Sequence, residues 1–134
     1  MPTEAQWEFA CRAGTPTRFH FGYAQGKLPI YGNAKENEDG YDVTAPVGSF
    51  KPNPFGLFDM HGNVFEWCRD WMGPYGALPK VDPVQMVKQA INGRVRRGGS
   101  WSLVSSFCRS SIRGNYGSDN RHNYVGFRVV VSQD

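Results

Sequence analysis

The sequence predicts a single α+β domain over residues 1–134 that is irregular and rich in loops. The chain is long enough for one hydrophobic core but short for two ordinary domains. It contains 16 Gly and 9 Pro, which favour turns over long regular elements. One helix signature and several short strand signatures occur in the same chain. Because 14% of the residues are aromatic, we expect the core to be built around rings.

The amino-terminal segment predicts a helix over residues 3–13. Thr3 and Gln6 have the spacing of a capping box, in which each side chain bonds the backbone N–H of the other residue. Gly14 follows, where a left-handed residue commonly ends a helix. Three residues fall on one helical face and are predicted to pack in the core: Trp7, Ala10 and Cys11.

Three further segments predict strands. Residues 19–23 alternate rings with His20 and a glycine, and residues 94–97 alternate Arg and Val before two glycines. Residues 127–131 form an apolar, β-branched run that predicts a buried strand closing the sheet. Residues 71–93 predict a long loop with one helical turn. We expect His20 to be a surface or hydrogen-bonded polar residue and not a ligand.

The formal net charge of +3 is unevenly distributed. Residues 94–128 contain seven Arg against a single Asp, a balance of +6, so the remainder carries −3. This stretch has no Lys, and Arg beside aromatic residues commonly serves in ion pairs and cation–π contacts. We therefore expect no nucleic-acid partner. No apolar run approaches 18 residues, so no membrane span is predicted.

The three cysteines, Cys11, Cys68 and Cys108, are odd in number and widely spaced. Neither a zinc site nor a disulfide framework has this spacing. Free thiols in a reducing compartment are expected, and a single Cys11–Cys68 or Cys68–Cys108 bridge is the alternative. The first residues lack the basic and apolar regions of a signal peptide, and the sequence does not indicate a localisation.

Two loops are rich in the oxygen atoms that a hard cation prefers. Residues 33–42 include Asn33 and Asp39, although such a charged run is commonly just solvated. In the second loop, Asp59 and Glu66 lie seven residues apart, and a glycine between them permits a sharp turn. The alternative for this second loop is that the two carboxylates form ion pairs with one of three arginines: Arg69, Arg97 or Arg128.

Five ordered motifs resemble the formylglycine-generating enzyme family, also called the sulfatase-modifying factor family. They are PTEAQWE at 2–8, PNPFGLF at 52–58, DMHGNVFEW at 59–67, RGGSW at 97–101 and GFR at 126–128. The resemblance extends over residues 2–130 and implies a variant of the C-type lectin fold. It also implies that the chain corresponds to the carboxy-terminal half of the family pattern. The family contains both enzymes and binding proteins.

The resemblance implies structural calcium at two sites. The first site would be formed by the side chains of Asn33 and Asp39 with the carbonyls of Ala34 and Tyr41. The second would be formed by Asp59, Gly62, Val64 and Glu66, the middle two through their carbonyls. Calcium is therefore the expected cofactor.

Enzymatic members of this family hold copper between two cysteines five residues apart, after the Gly-Gly-Ser motif. Cys108 matches one of the pair, but position 113 is Arg113 and the loop is shorter. One thiolate cannot provide the two-sulfur ligation that copper(I) prefers. The three His are scattered, and no Ser-His-Asp order or phosphate loop occurs. We therefore expect no catalytic residues, no copper and no formylglycine-generating activity.

A binding module is the expectation in place of an enzyme. Residues 100–124 contain seven Ser together with Asn, Gly, Tyr and Trp, and have no Lys or Glu. Evolved binding loops have this composition, because rings give contact area at small entropic cost and small polar groups adapt. A loop that is polar without any binding role is the alternative, as is a structural domain of a larger complex.

The end of the chain also resembles the variable region of proteins diversified by retroelements. The pattern is GGSW at 98–101, CRSS at 108–111 and NRHNYVGFRV at 120–129. The resemblance implies that residues 98–128 form a variable region that binds a protein or a surface glycan. Lectin topology does not by itself imply sugar binding. The predicted ligand-binding residues are Trp101, Ser102, Leu103, Val104, Ser106, Phe107, Ile112, Gly114, Tyr116, Ser118, His122 and Tyr124.

Overall fold

The computed structural model of the protein describes residues 1–36, 38–76, 81, 83–88 and 93–131. Among these residues there are two α-helices, α1 (Glu4–Arg12) and α2 (Leu28–Tyr31). The strands of the described residues are β1 (Gly32–Asn33), β2 (His61–Gly62), β3 (Phe65–Trp71), β4 (Arg94–Arg97), β5 (Arg113–Tyr116) and β6 (Val125–Gly126). Loops connect most of these short elements, as expected for an irregular α+β domain.

Helix α1 confirms the prediction made for residues 3–13. The Thr3 hydroxyl accepts from the Gln6 N–H at 3.2 Å, and the Gln6 side chain accepts from the Thr3 N–H at 3.0 Å. This capping box satisfies two donors that a helix start otherwise leaves unpaired. The helix ends where Ala13 adopts a left-handed conformation with φ of +47°.

The main sheet has the order β5-β4-β3-β6. Strand β4 is antiparallel to both β3 and β5, with Glu66 opposite Arg97, while β6 runs parallel to β3. The prediction of a strand at 94–97 is confirmed. Val95 and Arg97 point into the protein, and Arg94 and Arg96 are only partly buried. Alternation along β4 therefore buries one arginine completely.

A second, two-stranded sheet joins β1 and β2 in parallel. A Cβ atom at Gly32 would lie 1.7 Å from the carbonyl oxygen of His61. Gly62 has φ of +82°, and a Cβ atom there would lie 1.9 Å from the carbonyl oxygen of Asn33. Glycine at both positions is what allows the backbones to approach. This pairing places the two oxygen-rich loops side by side.

Two apolar clusters form the core. The larger one packs α1 onto the main sheet and contains Trp7, Cys11, Met60, Cys68 and Val95. The smaller one contains Phe19, Leu28, Ala34 and Cys108. All three cysteines are buried free thiols, as expected from their spacing. In the part of the chain that the structure describes, no helix is long and apolar enough to cross a bilayer.

A buried histidine pair packs against the smaller cluster and contacts both Phe19 and Cys108. Nδ1 of His61 is 2.8 Å from the carbonyl oxygen of Cys108, and Nε2 of His61 is 3.0 Å from Nδ1 of His20. Because a carbonyl only accepts, His61 donates through Nδ1 and accepts from His20 through Nε2. Burial lowers the pKa of His20 to about 4 and that of His61 to about 3. Both rings are therefore neutral near neutral pH.

Several sequence predictions need correction. Residues 127–131 are not a buried strand: β6 ends at Gly126, and the four apolar side chains that follow are exposed. Residues 19–23 form only an isolated bridge between Phe19 and Gly22. His20 is buried and hydrogen-bonded to His61, so the second of its two predicted alternatives, a hydrogen-bonded polar residue, is the one observed. Positions 77–80, 82 and 89–92 of the predicted 71–93 loop lie outside the described residues, and the described part of this loop contains no helix.

Gly32→Ala is expected to destabilise the protein by about 3 kcal/mol, because the new Cβ atom would overlap the carbonyl of His61. Gly26→Ala is the matched control, since a Cβ atom there meets nothing within 4 Å. Urea unfolding of both variants measures the difference in the free energy of unfolding. Equal stability of the two variants would contradict the close approach of β1 and β2.

The free energy of unfolding is expected to decrease as the pH is lowered from 6.5 towards 4. The pKa of both buried histidines is lowered in the folded state, so the unfolded chain binds protons first and is favoured by acid. Their contribution is complete above pH 6.5. Urea unfolding at pH 7.5 and 5.5 measures this slope. The slope should shrink in His20→Gln and His61→Gln but not in His122→Gln, and an unchanged slope in the first two variants refutes the assignment.

Candidate functional site

Arg97 is the fully buried arginine of β4 and fastens the start of the 98–128 region to α1. Its guanidinium contacts the carboxylate of Glu8 and lies 3.6 Å from that of Glu4. It also donates to the backbone carbonyls of residues 110–112 at 2.7–3.1 Å. A buried charge is tolerated when it is paired and hydrogen-bonded in this way. The loop after the Gly-Gly-Ser motif is thus fixed from inside.

Arg113 fastens the middle of the same region. Its Nε and Nη2 atoms donate to the two carboxylate oxygens of Glu4 at 2.5 and 2.7 Å. Its guanidinium lies 4.0 Å from the centre of the Tyr75 ring and donates to the carbonyl of Gly73. The position that carries a cysteine in the enzymatic family pattern therefore holds a structural ion pair with α1.

Arg128 fastens the end of the region to β3. It donates to both carboxylate oxygens of Glu66 at 2.5 and 2.7 Å. Glu66 also accepts from the indole N–H of Trp7 at 2.6 Å. The ion-pair alternative considered for the second oxygen-rich loop therefore describes Glu66. Together, the three arginines attach the start, middle and end of the 98–128 region to helix α1 and strand β3, which we call the framework.

The first candidate calcium loop contains one buried oxygen without a partner. Asn33 is fully buried, and its side-chain oxygen has no hydrogen bond, while its amide nitrogen donates to the carbonyl of Val43. The carboxylate of Asp39 accepts from the backbone N–H groups of Ala34 and Tyr41, each at 2.9 Å. Both oxygen-bearing side chains thus belong to one small loop. An unsatisfied buried amide oxygen, in a loop that also carries a carboxylate, is a ligand type that a hard cation takes.

The second candidate calcium loop fits less well. One carboxylate oxygen of Asp59 is buried and without a partner, and the other accepts from Gly48 at 2.8 Å. The carboxylate of Glu66, however, is already occupied by Arg128 and Trp7. Among the described residues, no group of three or more His, Cys, Asp and Glu side chains is arranged for a metal ion. Calcium at either loop stays a prediction.

Cys108 is buried at the end of a short 3-10 helix, Ser105–Cys108. A Cβ atom at Gly99 would lie 2.6 Å from its sulfur, so the Gly-Gly-Ser motif packs directly against the thiol. Burial raises the pKa of Cys108 to about 12, which keeps the thiol protonated at neutral pH. The positions five residues before and after it are Leu103 and Arg113, and neither supplies a sulfur.

The predicted ligand-binding residues are distributed over two outward-facing groups and the framework. In the first group, Val104 precedes the short 3-10 helix and Phe107 lies within it, and they are 42% and 50% exposed. These two apolar side chains are not used by the core. Leu103 is half-buried, and its carbonyl accepts from the Lys35 N–H at 3.0 Å.

The second group is a stack of rings at β5 and the approach to β6. The ring of His122 lies 4.8 Å from those of both Tyr116 and Tyr124, and it is stacked on Tyr124. Arg96 lies beneath them, with its guanidinium 4.0 Å from the Phe65 ring and 4.6 Å from the Tyr116 ring. The structure therefore brings together three predicted residues and adds Arg96, which sequence reasoning missed.

The remaining predicted ligand-binding residues belong to neither of these two groups. Ile112 and Gly114 are half-buried, and Gly114 pairs with Arg96 inside the sheet. Trp101, Ser102 and Ser106 are also half-buried, whereas Ser118 is exposed. The period of two in a strand over Arg-Val-Arg-Arg at 94–97 is the sequence signal that could have identified Arg96, because it places residues 94 and 96 on the same face of β4.

Residues 1–133 match the family described as "Sulfatase-modifying factor enzyme 1-like domain". The formylglycine-generating enzyme of Streptomyces coelicolor is 38% identical over 152 residues, and the match covers 100% of this chain and 47% of the relative. The chain thus spans about half the length of this curated relative.

Two solved structures are similar in fold and sequence. Treponema denticola variable protein 1 is 33% identical with a TM-score of 0.83, and the match covers 95% of this chain and 45% of that protein. PvdO from Pseudomonas aeruginosa is 37% identical with a TM-score of 0.86, covering 95% and 50%. The chain therefore belongs to the sulfatase-modifying factor family and has the C-type lectin-like α+β fold of formylglycine-generating enzymes.

Proposed function

We propose that this protein is a non-catalytic binding protein that presents a variable surface formed by residues 101–124. The observation that carries the proposal is a group of two exposed apolar side chains and a group of three half-buried rings along a loop whose ends are fixed. Val104 and Phe107 project from one part of this surface, and Tyr116, His122 and Tyr124 stack in another. Rings and small polar groups on a fixed framework suit the recognition of a protein or a surface glycan.

The framework supports this proposal because its ion pairs involve none of the five side chains of the two outward groups. Arg97, Arg113 and Arg128 hold the region through ion pairs on the inner side, with carboxylates from α1 and β3. Side chains on the outer side can then change without loss of these pairs. This is the arrangement that a diversified binding surface requires.

The similarity to a protein named as variable also supports the proposed binding function. Treponema denticola variable protein 1 is 33% identical to this chain. We expect a near-copy of the 98–128 coding region downstream of the gene, with adenines at the codons of positions 104, 107, 116, 122 and 124. Sequencing of the gene's 3′ end tests this expectation. Ordinary codon usage without any template would refute diversification by a retroelement.

The proposal includes a structural calcium ion, which Asn33 and Asp39 of the first loop would hold. Calcium that binds only the folded state should raise the melting temperature in proportion to the logarithm of its concentration. Asp39→Asn should abolish this increase, and the exposed Asp119→Asn should not. The measurement is thermal unfolding in EDTA and in increasing calcium. An unchanged melting temperature in the unmodified protein would refute the site.

A copper-dependent oxidase of the formylglycine-generating type is the second candidate, because an enzyme of that name is 38% identical. The buried, protonated Cys108 and the arginine at position 113 weigh against it. Copper(I) titration, together with an assay on a Cys-x-Pro-x-Arg peptide, separates the candidates. We expect neither stoichiometric tight copper binding nor aldehyde product, and observation of both would replace the binding proposal.

Phe107→Ser is expected to change the free energy of unfolding by less than about 1 kcal/mol, because the ring is half exposed. Arg113→Ala should cost about 2–3 kcal/mol, because it leaves the mostly buried carboxylate of Glu4 without its bidentate partner. Arg121→Ala, at an exposed position, is the control. Urea unfolding measures all three variants. A loss in Phe107→Ser as large as that in Arg113→Ala would place the ring in the core.

A further inference from the structure

Arg96 differs from the three arginines of the framework because no carboxylate neutralises it. Among the described residues, the ion pairs of the 94–128 arginines involve Arg97, Arg113 and Arg128, and none involves Arg96. Its Nε and Nη1 atoms are buried and have no hydrogen-bond partner in the described part of the chain. Burial lowers the pKa of this guanidinium, which nevertheless stays charged at neutral pH. The sheet thus holds a partly desolvated positive charge that lacks a negative partner.

Aromatic rings surround this charge. The guanidinium carbon of Arg96 lies 4.0 Å from the centre of the Phe65 ring, 4.6 Å from that of Tyr116 and 5.9 Å from that of Tyr124. Cation–π contacts offset part of the cost of desolvation. A ring is, however, a far weaker hydrogen-bond acceptor than a carboxylate oxygen. We call Arg96, Tyr116, His122 and Tyr124 the Arg96 site.

Two phenol groups of the Arg96 site can donate hydrogen bonds beside the charge. Interaction with the hydroxyl of Tyr116 raises the pKa of Tyr124, so Tyr124 keeps its proton at neutral pH. Both rings are half-buried, and His122 packs against each of them at 4.8 Å. A carboxylate at these hydroxyls would accept their hydrogens and be attracted by the guanidinium of Arg96. That attraction is stronger than in water, because the surrounding rings exclude solvent.

The negative group must come from the ligand. Asp119 is the single acidic residue of the 100–128 stretch, and its carboxylate accepts from the hydroxyl of Ser118 at 3.4 Å. The same proposed surface also exposes Val104 and Phe107, which favour contact with apolar side chains. Tyr and Arg are enriched among the residues that dominate protein–protein binding. Acidic and apolar groups together are what a protein ligand supplies.

We propose that the Arg96 site binds an Asp or Glu side chain of a protein ligand, with the carboxylate held between the hydroxyls of Tyr116 and Tyr124. This inference rests on the proposed binding function and names the chemistry of the ligand. Arg96 lies outside residues 98–128, so diversification of that region leaves it unchanged. The charge is therefore common to every variant of the surface. It selects acidic protein segments whichever side chains surround it.

The test selects a phage-displayed library of random linear peptides on the complete chain. Sequencing gives the frequency of Asp and Glu before and after selection. On the unmodified protein these residues should be enriched about threefold, because a charge-assisted hydrogen bond strengthens binding by at least that factor. Arg96→Met should abolish the enrichment. Arg96→Lys, which keeps the charge, should retain part of it.

Arg94→Met is the matched control. It removes the same charge from the same strand, but the guanidinium of Arg94 packs on Trp71, 4.2 Å from the ring centre. The enrichment should persist in this variant. Met is unbranched and apolar, so it can fill the space between rings that Arg96 leaves. Thermal melting establishes that all three variants are folded before selection.

The possible contrary results have different meanings. Unchanged Asp and Glu frequencies on the unmodified protein, or equal enrichment on Arg96→Met, would overturn the Arg96 site and leave the proposed binding function intact. An equal loss in Arg94→Met would attribute the preference to net charge and also overturn the site. Binding of hyaluronan, a glucuronate polymer, that depends on Arg96 while peptides fail would make a glycan the source of the carboxylate. Failure to select any peptide, without hyaluronan binding, would refute the proposed binding function itself.

Discussion

The buried guanidinium of Arg97 is the interaction on which the rest of the structure depends. It lies between α1 and the main sheet, where the carboxylates of Glu4 and Glu8 neutralise it and three loop carbonyls accept its hydrogens. An unpaired charge at this depth would be strongly unfavourable, so helix, strand and loop must adopt one mutual arrangement. The capping box of α1 places both carboxylates, because it fixes where the helix begins.

Two other arginines further along the chain also form ion pairs with carboxylates of α1 and β3. Arg113 shares Glu4 with Arg97, and Arg128 takes Glu66 from the strand that faces Arg97. Three of the seven arginines in 94–128 thus form ion pairs within the protein: Arg97, Arg113 and Arg128. The proposed binding function would use the rings and small polar groups of residues 101–124.

The same framework separates two surfaces of different character. The 101–124 surface mixes rings, serines and asparagines, and its ring stack lies over Arg96. A second, mostly apolar groove, lined by Leu57, Val129 and Val130 among others, reaches the core through Trp7 and Met60. Adaptable polar groups suit a ligand that varies, whereas the apolar side chains of the groove continue the larger core cluster. The cysteine of the family motif lies in neither surface, because it is buried against Gly99.

The sequence by itself determined helix α1, the strand at 94–97, the free thiols, and the family with its fold. These features depend on local capping, on alternation, or on ordered motifs that fix spacing along the chain. Only the tertiary structure decided which carboxylate meets which arginine, that His20 pairs with His61, and that 127–131 is exposed. Those outcomes depend on contacts between residues more than 40 positions apart, and on whether a neighbouring strand exists to cover an apolar run. Burial depends on how the whole chain packs, and the periodicity of one segment does not determine it.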